Sequence, residues 1–475
     1  MNYKNNVAFS KNALFWAALF LVLACLVSAF TPPLRSPDES LHVRRAYLLS
    51  RGEIVLKTGP VEYLGVEVIT SGGEIDIGLD SFLAYHLGQI GKPDPGIAAI
   101  QNSGVNDLQW TGVKAFRPAP GASYYFPFLY APQAVALLIG EKLKLSIASS
   151  YTLARGFALV SSAMLLWGAF CLYPVNVGLL ALISLPMAMF QMSSASLDGI
   201  SNALAALEIA AFLRMHKTTS AGNSRFAFAL WCLGLSLLVT CRPHLLPILT
   251  LPFILYRKRR ERHQLASGLI ALAAAIAWFS IAISTSFDPR VQLGQSTSAL
   301  VRDYVMHPNA FFVVLWQTLN SNENLQFFWK SFIGILGWLE LPLPEWAYSF
   351  ISASGVALLI LGLLAKPKNT IGEARLSLTM VALASVLLVF FALLVTWTPH
   401  PADMIKGVQG RYFFVPGLML AYAWQQPWSA LGVWQRRFSG IGLLSFIAFN
   451  VFTLTATLQQ RYPSTWAADT LRLHN

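Results

Sequence analysis

Long apolar runs separated by short polar connections dominate the chain, so the pattern predicts helices that cross a bilayer. The runs lie near 13–30, 123–140, 150–171, 175–191, 198–213, 226–241, 244–256, 265–286, 347–365, 376–397, 411–427 and 439–458. A spanning helix needs about 20 apolar residues, and these runs meet or approach that length. The first run follows Lys4 and Lys11 and contains Val27-Ser28-Ala29, a plausible cleavage site. It exceeds the ~7–15-residue core of a signal peptide, so it reads as an anchor. Arg257-Lys258-Arg259-Arg260-Glu261-Arg262 and Arg436-Arg437 mark the cytoplasmic side. If 32–122 lies outside and 214–225 inside, an odd number of crossings separates them, whereas four runs fall between. One run, most plainly within 150–191, then fails to cross, which leaves about eleven spans, with twelve as the alternative.

Two segments, 31–122 and 288–346, stand outside the bilayer. Loops beyond about 12–15 residues are usually functional or carry their own structure. From Asp38 to Ser50 the pattern fits a short amphipathic helix lying on the surface, with Ser36 as its cap and Pro37 in its first turn. Phe332–Glu340 reads as an apolar, Gly-spaced helix dipping into the interface. The expected fold is one all-α polytopic membrane domain over 1–475, with short interfacial helices in its two outer loops.

Composition agrees. Apolar residues make up 55% of the chain and charged residues 12%, against about 25% charged in a soluble protein. The formal charge of +12 would point to nucleic acid in a soluble chain. Here it reflects the cytoplasmic bias of Lys and Arg, so membrane lipids, not nucleic acids, are the expected partners. Cys25, Cys171, Cys232 and Cys241 lie in or beside apolar runs without metal-knuckle spacing. The sequence has no Walker A loop, GxGxxG, HExxH or nucleophile elbow in a credible context. That pattern argues against ATP-driven transport, dinucleotide redox chemistry and zinc proteolysis.

Ionisable residues at the outer edge of the runs are the candidate chemistry. Asp38 and Glu39 follow the first run within Ser36–Ala46, which also holds His42. An ionised carboxylate there suits a general base for an acceptor hydroxyl, or a ligand for a hard cation. A helix cap with solvated charges accounts for the same residues. Gln409-Gly410-Arg411-Tyr412 opens a later run. Arg411 could pair a phosphate through its fork with Gly410 allowing close backbone approach, or simply snorkel. Arg242-Pro243-His244 adds a second cation and an imidazole. Asp198, after Ser193-Ser194-Ala195-Ser196, is a site carboxylate or a helix cap. Glu340 and Trp338 line a site or pack structurally. Arg155, inside an apolar run, needs a partner that the sequence does not identify.

Five pieces in chain order resemble one family: PDExxHxxRAYxLSxG at 37–52, YxxPxxxxPQ at 124–133, SxSxD at 194–198, GxLGWLExxLP at 334–344 and QGRYFxxP at 409–416. The family is the bacterial domain-of-unknown-function family 2142, which is similar to the GT-C superfamily of integral-membrane glycosyltransferases. The resemblance implies a GT-C-like fold in the bacterial inner membrane, with an active site on the periplasmic face. It implies a polyprenyl-phosphate-linked sugar as donor, with a cell-envelope glycan such as O-antigen, or a lipid-linked saccharide, as acceptor. Asp38, with Glu39, takes the place of the catalytic acid, Asp198 of a second acid, and Arg411 of the phosphate ligand. Arg242, His244 and Gln409 join Arg411 on the donor, while His42 and Glu340 remain further candidates. Where the resemblance implies a Lys-Pro pair, this chain has Arg242-Pro243. No cofactor is required; a divalent cation, Mg or Mn, would fall to Asp38, Glu39 and Asp198. A polymerase or ligase of lipid-linked glycans is the alternative within the same chemistry, and a lipid-saccharide flippase or transporter the alternative outside it.

Overall fold

The structure is a computed structural model that describes residues 3–63, 65–217, 225–364 and 372–463. It is mostly helical, and six helices are long and apolar enough to cross a membrane: Asn12–Phe30, Ile147–Leu172, Arg262–Thr285, Glu345–Leu363, Gly372–Trp397 and Val433–Arg461. A shorter apolar helix covers Phe226–Cys241. The chain is therefore a multi-pass membrane protein, but the count of eleven or twelve spanning helices is not reached among the described residues.

Proline explains most of the difference, because it removes a backbone donor and clashes with the preceding turn. The 123–140 run enters through Pro127 and Pro132 and leaves a helix of only 12 residues, Ala131–Lys142. The 175–191 run splits before Pro186 into Val177–Ile183 and Pro186–Met192. The suspicion over 150–191 thus falls on its second half, since Ile147–Leu172 is a continuous helix of 26 residues. The two short helices are almost wholly buried, the setting in which broken backbone is tolerated at membrane depth. The 244–256 run opens with a 3-10 turn, Pro243–Leu249, and the 411–427 run with another, Gly410–Phe413.

Asp198–Lys217 is unbroken but carries Asp198, Glu208 and Arg214. Its 20 residues rise about 30 Å, and they join two chemically different ends of the bundle. At its C-terminal end the His216 carbonyl accepts from Lys258 Nζ at 2.8 Å, and Arg257 pairs with Glu373 at 2.8 Å. Its N-terminal end meets Arg242 and Arg411.

The first spanning helix, α1 (Tyr3–Phe30), is tied to the bundle by Arg155. The guanidinium donates to Thr31 O at 2.8 Å and Pro32 O at 2.9 Å, just beyond the helix end, where carbonyls lack intrahelical partners. This supplies the partner that an Arg in an apolar run requires.

The loop after α1 corrects the all-α expectation. It holds a three-stranded antiparallel sheet in the order β1 (Lys57–Tyr63), β2 (Val66–Asp76), β3 (Lys114–Pro118). The β-branched run Val66, Val68, Ile69, Thr70 favours extended backbone, and Gly65 at φ 79° supplies the positive φ of a tight hairpin. Ser71-Gly72-Gly73 lies within β2, where a Cβ on Gly72 would stand 2.1 Å from the Arg117 carbonyl oxygen.

Helix α2 (Glu39–Ser50) is not surface-lying: nine of its twelve residues are buried. Arg44 and Arg45, which an amphipathic surface helix would turn to solvent, are directed inward and bonded. Arg44 donates to Pro118 O at 2.9 Å and pairs with Asp80 at 3.1 Å, while Arg45 reaches Glu53 O at 3.0 Å. Helix α3 (Ile77–Leu87) follows, capped by the Asp76 carboxylate on Gly78 N at 2.8 Å. In 288–346 the helices Thr297–Met306, Pro308–Leu319 and Asn322–Ile333 expose Met306, Trp316 and Leu325 respectively, as interfacial helices would. Residues 335–342 form a small hairpin instead of the expected helix.

In a cysteine-free background, Arg262→Cys and Ser298→Cys, both at exposed positions, should react with a membrane-impermeant maleimide from opposite sides of sealed vesicles. Labelling of both from one side contradicts the two-ended bundle.

Candidate active site

After α1 the chain turns back over the helix ends and starts α2 at Asp38. Asp38, not Ser36, is the capping position; its backbone adopts φ 60°, and its side chain makes no cap bond. A left-handed conformation is uncommon for non-glycine residues, although Asp tolerates it better than most. Strain of this kind persists only where the surroundings enforce it. Its effect is to release the carboxylate from the helix terminus and aim it elsewhere.

Glu39 supplies much of that enforcement. It is fully buried. One carboxylate oxygen accepts from Tyr151 OH at 2.7 Å and Ala195 N at 2.7 Å, with Arg155 Nε at 3.5 Å. The other accepts from Ser36 N at 3.2 Å. Glu39 therefore clamps the start of α2 to the helix Ile147–Leu172 and to the 193–198 turn, with its face turned from solvent.

Asp38 instead meets Arg411, which lies 373 positions later in the chain, at 3.0 Å. The Arg411 guanidinium also donates to Asp198 at 3.2 Å. Asp198 in turn pairs with Arg242 and accepts from Gln191 at 3.0 Å, and Arg242 Nε donates to Ser201 Oγ at 3.0 Å. Four groups thus alternate in charge as Asp38, Arg411, Asp198, Arg242. They come from four stretches of chain and gather at one end of the bundle. The Asp38 side chain is 41% exposed while that of Arg411 is 4% exposed. One carboxylate opens outward from an otherwise buried network.

His42, one turn along α2, faces the same network. Its Nδ1 lies 2.7 Å from Tyr130 OH, and its ring stacks near Tyr125 at 6.3 Å. Burial pushes its imidazole down to about 4, opposed by Asp198 and Asp38 and reinforced by Arg242 and Arg411. The ring is therefore neutral at pH 7. Arg242 also stands over the Tyr125 ring at 5.8 Å and Arg411 over Tyr412 at 5.3 Å. His244 contacts the Tyr412 ring at 6.4 Å and makes no hydrogen bond to the four-group network among the described residues. Gln409 is half-buried and its Oε1 has no partner among the described residues, as is true of Arg411 Nε. Glu340 is exposed at the hairpin turn and joins none of these bonds.

Sequence reasoning missed Tyr130, Tyr151, Gln191 and Ser201. Arg155 was the available signal for Tyr151, since an ionisable side chain four residues away on a helix shares its face. Asp38, Glu39 and Asp198 do not form a three-carboxylate set: Arg411 sits between the two aspartates, and Glu39 turns to Tyr151. Among the described residues no group of three or more His, Cys, Asp or Glu has the arrangement of a metal site.

A family model described as a predicted membrane protein, DUF2142, matches residues 19–420. The chain belongs to this family. The match holds every member of the four-group network. A crystal structure of ArnT from Cupriavidus metallidurans bound to undecaprenyl phosphate is similar at 13% identity, over 96% of this chain and 76% of that one, with a TM-score of 0.31. At that score the likeness assigns nothing to this DUF2142 chain. No curated protein matches it.

Gly410 sets the position of Arg411 by a close approach to protein backbone. A Cβ there would lie 2.1 Å from Phe332 N and 2.2 Å from Phe328 O. Gly410→Ala should therefore displace the 410–413 turn and lower the melting temperature, at a cost of about 1–3 kcal/mol for overpacking, read by thermal unfolding in detergent.

His42 gives a pH dependence. Its folded value of about 4 lies below the ordinary 6.5, so the stability it contributes is present above 6.5 and lost as pH falls towards 4. Melting temperature should decline over that window. His42→Gln, which retains a polar contact for Tyr130 without titrating, should flatten the decline; an unchanged slope assigns it to another group.

Proposed function

We propose that this DUF2142 protein is an inverting GT-C-type glycosyltransferase. It moves a sugar from a polyprenyl-phosphate carrier to a cell-envelope glycan, such as O-antigen, or to a lipid-linked saccharide. The observation that carries the reading is the contact between a half-open Asp38 carboxylate and a buried Arg411 guanidinium at 3.0 Å, at one end of a membrane bundle. The sequence resemblance to GT-C enzymes supports it independently. The basic cluster at 257–262, at the opposite end, supports an outer-face site in the bacterial inner membrane.

In this reading the acceptor hydroxyl gives its proton to Asp38 as its oxygen attacks the anomeric carbon. The bond from that carbon to the phosphate oxygen breaks, and the carrier phosphate leaves with the electron pair. A single in-line displacement inverts the anomeric centre. Arg411 stabilises the phosphate as charge develops on it, and Asp198 and Arg242 hold Arg411 in place. A fixed donor in a desolvated site is effective because it needs no reorganisation during the reaction. Phosphate and Asp38 compete for Arg411, so donor binding would loosen the resting pair and free the base. Glu39 is a positioning residue for the α2 start. Neutral His42 faces the network, and Gln409, two residues before Arg411, carries a buried oxygen with no partner among the described residues. No step passes through a metal, although Mg or Mn at Asp38 is open to direct test by chelation.

Mass spectrometry of envelope glycans in a deletion strain tests the reading. Wild-type protein should restore the missing linkage. Asp38→Asn should lower transfer by about 10²–10⁴-fold, the usual contribution of a general base. Arg411→Lys keeps the charge but loses the fork and should retain part of the activity. Full restoration by Asp38→Asn contradicts the assignment and favours a polymerase or ligase. Saccharide movement across reconstituted vesicles without a new glycosidic bond favours a flippase.

A further inference from the structure

A further buried guanidinium, Arg35, lies outside the four-group network and, unlike those of Arg45 and Arg155, makes no hydrogen bond among the described residues. Arg35 is 4% exposed, and its Nε and Nη1 are buried with no hydrogen-bond partner among the described residues. It stands over the Tyr462 ring, 5.0 Å from the centroid, and the Tyr462 hydroxyl is also buried and unpartnered among the described residues. His86 on α3 has a buried Nε2 with no partner among the described residues. Burial, with the Arg35 and Arg155 charges, drives its imidazole down to about 3. Arg461 approaches the same Tyr462 ring at 5.3 Å.

Arginine cannot shed its proton in a protein, so burial does not relieve this charge by neutralisation. A buried ion without a counter-ion carries a penalty of several kcal/mol. Buried polar groups in native proteins are otherwise nearly all bonded. Among the described residues, the unused donors on Arg35 and Tyr462, with a His86 Nε2 that donates in one of its two tautomers, suit an anion rich in acceptor oxygens, with the Glu340 and Asp94 carboxylates also acting on Tyr462. Their place in the fold narrows its identity. Arg35 follows the end of α1 at Phe30, and Tyr462 follows the end of the helix Val433–Arg461. Both helices are long and apolar enough to span, so the group sits at the bilayer boundary, where lipid phosphates lie.

We propose that Arg35, with Tyr462 and His86, forms a binding site for a lipid phosphate at the bilayer boundary. It shares no residue with the Asp38 network and does not depend on the glycosyltransferase reading. Delipidated full-length protein in a non-ionic detergent should be titrated with phosphatidylglycerol, diacylglycerol of the same chains, or inorganic phosphate, and the complexes counted by native mass spectrometry.

Wild type should bind phosphatidylglycerol at least tenfold more tightly than diacylglycerol. Arg35→Gln should lose that preference, and Tyr462→Phe should weaken it about threefold while keeping the ring. Arg35-dependent binding of inorganic phosphate at equal strength supports the site with a soluble phosphate as its source. An undiminished preference in both Arg35→Gln and Tyr462→Phe overturns the site. If Arg35→Gln does not fold, Tyr462→Phe and His86→Gln carry the same readout.

Discussion

A guanidinium held between two carboxylates is stable in a desolvated setting only if its position leaves neither acid unpaired. Arg411 meets that constraint between Asp38 and Asp198, and Arg242 closes the remaining charge. Removing one member of such a set leaves an uncompensated buried charge, which costs far more than the pair contributes. The network thus fixes the relative positions of the α1–α2 turn, the 193–198 turn, the residues after Cys241 and the 410–413 turn. Other features serve this geometry, including the burial of α2 under a small sheet and the close approach that Gly410 permits to the Phe328–Phe332 backbone.

The same arrangement divides labour between adjacent acids. Asp38 and Glu39 are neighbours with opposite fates, because a left-handed residue at the helix start turns one carboxylate outward and the next inward. Glu39 is satisfied by a tyrosine, an arginine and two backbone amides. The Asp38 carboxylate keeps one hydrogen-bonding partner among the described residues, Arg411, and substantial exposure. The base of the proposed reaction would have to be held in place yet reachable, and these two consecutive residues would accomplish that jointly.

Much of the candidate site was legible because its charged residues break the composition of the chain. In a sequence with so few charges, Asp38, Asp198, Arg242 and Arg411 stand out, and the structure brings these four together. The fate of Glu39 was not legible, since adjacent acids look alike until the backbone angle at Asp38 is known. Glu340 stood out for the same reason but lies in an exposed turn. The membrane class was plain from run length and composition, whereas the number of spans was not. Prolines at 127, 132, 186 and 247 sit inside runs that remain apolar overall, so hydropathy counts them as continuous while hydrogen bonding does not. The outer sheet was hidden because Gly-rich strands such as Ser71-Gly72-Gly73 read as loop when their neighbours are unknown.

Arg155 grips the carbonyls just past the end of α1 and also touches Glu39. The depth of Asp38 relative to the lipid is therefore coupled to how the first helix sits in its bilayer. A thicker or thinner membrane that tilts α1 would carry the Asp38 carboxylate with it, making lipid composition a control on where that group meets the water boundary.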